Sequence, residues 1–240
     1  MSYRRFHFKH KQTIVTILAE EERYYRVAVD AILEARKEIE YQIKKDPFFL
    51  TTFDPYDCVG SIIGRMCKAS KLANVGPMAA VAGTIAQYAV ERMIEEGANF
   101  AVVDNGGDMA IFTDRELVVG VYAGEANLKI GFRIKPSSEI TAICTSSGTI
   151  GPSISLGFAD AATIFASDAS VADAFATALG NEIKEEFGRE EIEETLKTFW
   201  NKAKDHIKGA MVIKGEIIGL AGNIPEIVQA EIRPDLITKG

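Results

Sequence analysis

Histidine and cysteine are both scarce: the 240 residues hold three of each, and a single tryptophan. Cys58, Cys67 and Cys144 form no C-x-x-C pair and none of them neighbours His7, His10 or His206, so neither a disulfide framework nor a zinc site is expected. Seven prolines and 20 glycines are too few for a collagen-like or low-complexity chain. Positive charge is in the minority: 27 Lys and Arg face 34 Asp and Glu, a net charge of −7, which argues against a general nucleic-acid-binding surface. The basic opening, from Met1 to Lys11, leads into no apolar run, so no secretory signal is read and a reducing cytoplasm is the expected setting. Leu72 to Val90 carries no charge and has the length of a membrane span, yet Asn74, Gly76, Pro77, Gly83, Thr84, Gln87 and many alanines make it weakly hydrophobic. A close-packed internal helix is expected there, and no membrane association.

What is present is ordinary for a globular chain, 47% hydrophobic and 25% charged, and long enough to bury a sizeable core. Phe6, Phe8 and Ile14 to Leu18 read as β structure. Val27, Ala31, Ile39 and Ile43 recur at near-helical spacing from about Tyr24 to Lys45, ended by Asp46-Pro47. A short mixed segment runs to Ser70. Gly76-Pro77 then introduces a helix, about Met78 to Glu96, closed by Gly97. Phe100 to Val103 and Met109 to Phe112 flank Asp104-Asn105-Gly106-Gly107-Asp108, a strong hairpin signal. Leu117 to Tyr122 and Leu128 to Ile134 read as further strands of the same antiparallel sheet. Ser170 opens a helix run from Val171 to about Phe187, a charged helix spans roughly Glu190 to Ile207, and a second hairpin turns at Lys214-Gly215-Glu216. Helix then hairpin occurs twice, which predicts an internally duplicated α+β fold in one domain over 1–240, with halves at roughly 75–135 and 160–225.

Few residues have the pattern of a chemical site. Walker A, G-x-G-x-x-G and G-x-S-x-G are all absent, and no histidine lies near Ser146, Ser147 or Cys144. The loop Cys144-Thr145-Ser146-Ser147-Gly148-Thr149-Ile150-Gly151 is dense in hydroxyls and glycines, which suits a phosphate or pyrophosphate, or else forms a turn-rich loop with no ligand. Asn105, Gly106 and Gly107 either present backbone N–H groups to a ligand or simply close a hairpin. Asp160 and Asp168 flank the apolar run Ala161 to Ala166, where each faces a cleft or ends an element. Asp173 and Thr177 stand four apart and so share a helix face, where a carboxylate and a hydroxyl offer two hard oxygens to Mg²⁺. The alternatives are that Asp173 complements the start of its own helix, in the pattern Ser170-x-x-Asp173, or that it belongs to a solvated stripe with Thr177 and Lys184. Arg4, Arg5, Lys9 and Lys11 make a small basic patch, read as a solvated strand or tail.

The segment Ala172-Asp173-Ala174-Phe175-Ala176-Thr177-Ala178 is similar to the A-D-A-x-A-T-A motif of the ApbE family, the FAD:protein FMN transferases. Asn105-Gly106-Gly107-Asp108 resembles that family's N/D-x-G-G turn beside the nucleotide. The resemblance is closer still to an uncharacterised, mainly archaeal and anaerobe branch related to ApbE, through Val75-Gly76-Pro77-Met78-Ala79-Ala80-Val81-Ala82-Gly83, Thr145 to Gly151 and Ala159-Asp160-Ala161. It implies an ApbE-like fold, Mg²⁺ on Asp173 and Thr177, and a phosphate-bearing small molecule such as a flavin nucleotide as ligand. Asn105, Gly106, Gly107, Thr145, Ser146, Ser147, Gly148, Thr149 and Asp160 would line its site. An enzyme built this way would be a Mg²⁺-dependent transferase or would cleave a phosphoanhydride.

The departures are specific. Flavin transferases carry H-I-x-D-P-x-T-G, with a catalytic histidine, after the Thr-Ser-Gly loop; here the region reads Gly151-Pro152-Ser153-Ile154-Ser155-Leu156-Gly157. No lipoprotein signal of the kind many members carry is expected either. The alternative expectation is therefore a non-catalytic binding or assembly component, with a protein partner, in anaerobe metabolism such as sulfur assimilation. Antiparallel edges suit a homodimer, and abundant Glu and Lys with little Gln lean towards a thermophile.

Overall fold

The computed structural model describes residues 3–121, 129–148 and 157–230. A hairpin of β1 (Arg4–His10) and β2 (Thr13–Ala19) leads into the long helix α1 (Glu22–Lys45), then the short α2 (Phe48–Thr51) and α3 (Ile62–Ala73). One turn of 3-10 helix, Pro77–Ala80, opens α4 (Val81–Glu95), followed by β3 (Phe100–Asn105), β4 (Asp108–Thr113), β5 (Leu117–Gly120), β6 (Ile130–Ile134), β7 (Ser137–Ser146) and β8 (Ala161–Ala166). The chain closes with α5 (Ala169–Glu182), α6 (Arg189–Ala203), β9 (Gly209–Lys214), β10 (Ile217–Gly222) and β11 (Glu226–Gln229). The charged helix and the second hairpin lie where the sequence predicts them. The helix begun near Ser170 ends at Glu182, well before Phe187.

Eight strands form one antiparallel sheet in the order β1-β2-β3-β4-β7-β8-β9-β10. Its central strands are buried on both faces, and alternation sorts their side chains by size. Ala101, Val103, Ala162, Ile164, Ala210 and Val212 face the helices, whereas Phe100, Val102, Phe165, Met211 and Ile213 fill a second core on the other side. Small residues on the first face let α4 and α5 lie close against the sheet. The second core is covered by a separate three-stranded sheet, β11-β6-β5, whose Phe132 meets Phe165 edge to face at 4.7 Å.

That second sheet corrects one expectation. The strands of Leu117 to Tyr122 and Leu128 to Ile134 do not extend the main sheet, because β4 already has β3 on one edge and β7 on the other. They pair with each other, and β6 takes β11 on its free edge. Tyr122 and Leu128 lie outside the described residues. The helix-then-hairpin order does occur twice, α4 before β3–β4 and α5 before β9–β10, with α6 inserted in the second.

A second correction concerns cysteine. Cys58 and Cys67 are joined by a disulfide across nine residues, tying the loop before α3 to its middle, while Cys144 is free and buried. The segment read as short and mixed contains α3, whose Ile62, Ile63, Met66, Cys67 and Ser70 are buried. Its first N–H groups find no cap on Ser61. Instead the Glu38 carboxylate on α1 accepts from Ile62 N at 2.9 Å and from Ile63 N at 3.1 Å. Among the described residues no helix is long and apolar enough to cross a membrane.

Candidate functional site

The helices α4 and α5 meet at Gly83. A Cβ there would stand 2.1 Å from the Ala169 carbonyl oxygen and 2.7 Å from the Asp173 Cβ, so only glycine permits this approach. Contact at that distance brings the Asp173 carboxylate onto the start of α4, where its Oδ2 accepts from Gly83 N at 2.8 Å, and Ala82 N also donates to it. Asp173 is therefore neither on a solvated stripe nor at the start of its own helix: it is buried and caps α4. The residue that caps α5 is Asp168, accepting from Ser170 N at 2.7 Å and Val171 N at 3.2 Å. Gln87 on α4 supplies a further acceptor to Ala169 N at 3.0 Å. Ser170, expected to open the helix, is buried as its second residue.

The turn between β3 and β4 sits beside these helices. Gly106 and Gly107 have φ of +73° and +105°, a region other residues seldom adopt, and this tight reversal places Asp108 at the start of β4. Asp108 pairs across the sheet with Cys144, whose thiol lies 3.4 Å from the Ala169 carbonyl oxygen. Cys144 and Thr145 hydrogen-bond the Asp108 carboxyl group, but its Oδ1 is buried without a partner.

The electrostatics follow from that burial. Desolvation pushes the Asp173 carboxyl up to about 7, against the pull of the Gly83 and Ala82 N–H groups. Asp108 is held well above the carboxylate range, first by burial and then by the charges of Asp173 and Asp104. Burial, with Asp108 and Asp173 nearby, also raises the Cys144 thiol, so this cysteine is no ready nucleophile. No Lys or Arg figures among the groups acting on either carboxyl. Asp173 is buried and Asp108 half-buried with its Oδ1 shielded, so two carboxyl groups that repel each other here favour a counter-charge when both ionise, and a divalent cation is one that hard oxygens accept. An unpartnered Oδ1 on Asp108 and a second oxygen on Asp173 fit such an ion. Among the described residues no three His, Cys, Asp or Glu side chains converge as a full cage, so water or ligand oxygens would complete the octahedron.

The residues singled out in the sequence divide into groups. Thr177, half-buried, stands one turn beyond Asp173 on α5. Asn105 directs its amide to the Ala82 carbonyl oxygen at 3.1 Å, fastening the hairpin to α4. Gly107 N donates to Asp104 Oδ1 at 2.9 Å, and Gly106 is exposed. Thr145 lies at the end of β7 with its hydroxyl 2.9 Å from that of Thr163, and Ser146 is buried beside it. Gly148, next to Ser147, donates its N–H to the Ala159 carbonyl oxygen at 3.0 Å. Thr149 lies outside the described residues. Asp160 accepts from Gly215 N at 2.7 Å, bracing the second hairpin. Sequence alone gives Asp108 no site role of its own, although it directly follows the paired glycines. The signal that finds it is its register opposite Cys144, which only the sheet reveals.

This architecture of helices on a long antiparallel sheet is that of the ApbE flavin transferases. A mutant of flavin transferase ApbE from Vibrio cholerae superposes with a TM-score of 0.59 at 9% identity, covering 92% of this chain and 97% of that one. The ApbE protein of Thermotoga maritima superposes with a TM-score of 0.56 at 15% identity over the whole of both chains. At such identities the likeness is one of fold. The chain belongs to the family described as AbpE bacteria, whose model matches residues 1–215. It is 57% identical over 238 residues to a UPF0280 protein of Archaeoglobus fulgidus, covering 99% of this chain and 100% of the other. A UPF0280 protein of Methanosarcina acetivorans is 48% identical over 237 residues, covering 97% and 92%.

Proposed function

We propose that the protein binds a phosphate-bearing small molecule, a flavin nucleotide being the leading class, together with Mg²⁺ at Asp173, Thr177 and Asp108. The observation that carries this reading is the pair of mutually repelling carboxyl groups, Asp173 buried on α5 and Asp108 beside the glycine turn with its Oδ1 orphaned. A bound Mg²⁺ would supply Lewis-acid polarisation of a phosphoryl oxygen. The residues of the chain have separate tasks. Asp173 holds α4 and α5 together while turning one oxygen to the site, and Thr177 offers a neutral hard donor. Asn105 fixes the turn, leaving the exposed Gly106 as the backbone of closest approach. The flavin-transferase titles of the structural neighbours support the choice of ligand.

Calorimetry with FAD, FMN and ADP, in Mg²⁺ and in EDTA, tests the reading on wild type and on Asp173→Ala. Micromolar binding that needs Mg²⁺ and is lost at least tenfold in the variant is expected. Equal affinity with and without Mg²⁺, or an unaffected variant, sinks it. Because Asp173 also caps α4, Thr177→Val is the companion variant, and it should weaken binding without lowering Tm.

A second reading, a non-catalytic binding or assembly component, rests on the missing H-I-x-D-P-x-T-G segment. It predicts nucleotide binding without turnover, and a protein partner recovered from the native cell.

A further inference from the structure

The basic residues near the start of the chain take no part in the site above. The β1–β2 turn lies against one stripe of α1, and His10 together with Arg36, Lys37, Tyr41 and Lys44 lines a cavity of about 290 Å³. The one acidic residue on its wall, Glu40, is already matched: Lys11 reaches it at 2.6 Å and Arg36 at 3.0 Å. Lys37 and Lys44 are exposed, and among the described residues neither has a carboxylate within ion-pair distance. The Arg36 guanidinium is held by Thr13, Gln12 and Glu40 through its two terminal nitrogens, whereas its Nε is buried and has no acceptor. Lys11, next to the cavity-lining His10, adopts φ of +54°, an unfavourable conformation for a residue with a side chain.

These features point one way. On a chain of net charge −7, a concave site with three cationic side chains and a single, already paired carboxylate is a local reversal of field. Guanidinium and ammonium groups bind phosphate oxygens through charge-assisted hydrogen bonds, and the exposed ammonium groups of Lys37 and Lys44 are the ones open to a ligand on this wall. We propose that this cavity binds the phosphate group of a small phosphorylated molecule, with the exposed ring of Tyr41, 69% accessible, receiving an aromatic or planar body at the rim. The site is separate from Asp173 and needs no metal.

Calorimetry on the Asp173→Ala protein in EDTA and 0.1 M salt, titrated with inorganic phosphate and then phenyl phosphate, excludes the other site from the readout. Saturable binding at one equivalent is expected, weakened at least tenfold in Lys37→Gln/Lys44→Gln and restored in Lys37→Arg/Lys44→Arg. Both lysines are exposed, so these variants should keep the wild-type circular dichroism. Unchanged affinity in the glutamine variant, or uptake that never saturates, overturns the site. Phenyl phosphate should bind more tightly than inorganic phosphate, with the difference lost in Tyr41→Ala; equal affinities overturn the role given to Tyr41.

Discussion

The molecule contains two glycine-turned hairpins that look alike and serve differently. In β3–β4, the turn is fastened to α4 by Asn105 and delivers Asp108 into a buried cluster with Asp173 and no cation. In β9–β10, Gly215 has φ of +57°, its N–H is taken by Asp160, and Lys214 donates to the Glu185 and Phe187 carbonyls. Every polar group named in the second hairpin is satisfied; the first leaves a carboxylate oxygen with nothing to bind. Turn chemistry alone does not make a site. What does so here is the approach of two helices, permitted at Gly83, that carries a second carboxyl group to the same place.

The sharpest way to break that contrast is Gly83→Val. A side chain there meets backbone at the Ala169 carbonyl oxygen, so the helices must part, and a loss of about 3 kcal/mol or more in urea unfolding is expected. Survival of the variant at wild-type stability would remove close packing as the cause of the site.

A pH series sharpens the comparison next. Asp173 titrates near 7 in the folded protein and near 4 in an unfolded chain, and Asp108 is shifted in the same direction. A group raised on folding stabilises fully below its unfolded value and loses that contribution as pH rises through its folded value. In EDTA, stability should therefore fall as pH rises from about 4 through about 7, by on the order of a few kcal/mol from Asp173, with Asp108 adding a loss in the same direction. Asp108→Asn should flatten the slope, and saturating Mg²⁺ should offset it at pH 8. A stability profile that rises over this range would contradict the burial of the pair.

The smallest effect belongs to the second hairpin. Asp160→Ala removes the acceptor of Gly215 N and should cost about 1 kcal/mol in thermal or urea unfolding, with nucleotide binding unchanged. Weaker nucleotide binding in that variant would join Asp160 to the first site after all.

Much of this was legible in the sequence, in places where local chemistry decides. The helical spacing of Val27, Ala31 and Ile39, the Pro77 start and the Asn-Gly-Gly turn depend on residues within a few positions, and α1, α4 and β3–β4 stand where they predict. The family motif around Asp173 was also visible. Asp168 caps α5 locally, one of the roles its place beside the apolar run allows. What the sequence does not show depends on partners far along the chain: Asp173 caps α4 across 90 residues. The Cys58–Cys67 bond and the Glu38 cap of α3 depend on how the loop folds over α1 and α3, not on spacing. The second sheet arises because β4 has no free edge left, a fact of pairing and not of β5 or β6 themselves.

The strand order of the main sheet has a consequence for how the chain is made. Reading β1-β2-β3-β4-β7-β8-β9-β10 from one edge to the other follows the order of synthesis, so each newly exposed strand can add to the outer edge of those already paired. No strand has to be threaded between two that have met. The exception comes at the end, when β11 leaves this edge and closes on β6. The last described strand to emerge from the ribosome thus adds an edge to the sheet that already covers Phe165 and Met211, and until it does β6 presents an unpaired edge to whatever chaperone or neighbour finds it first.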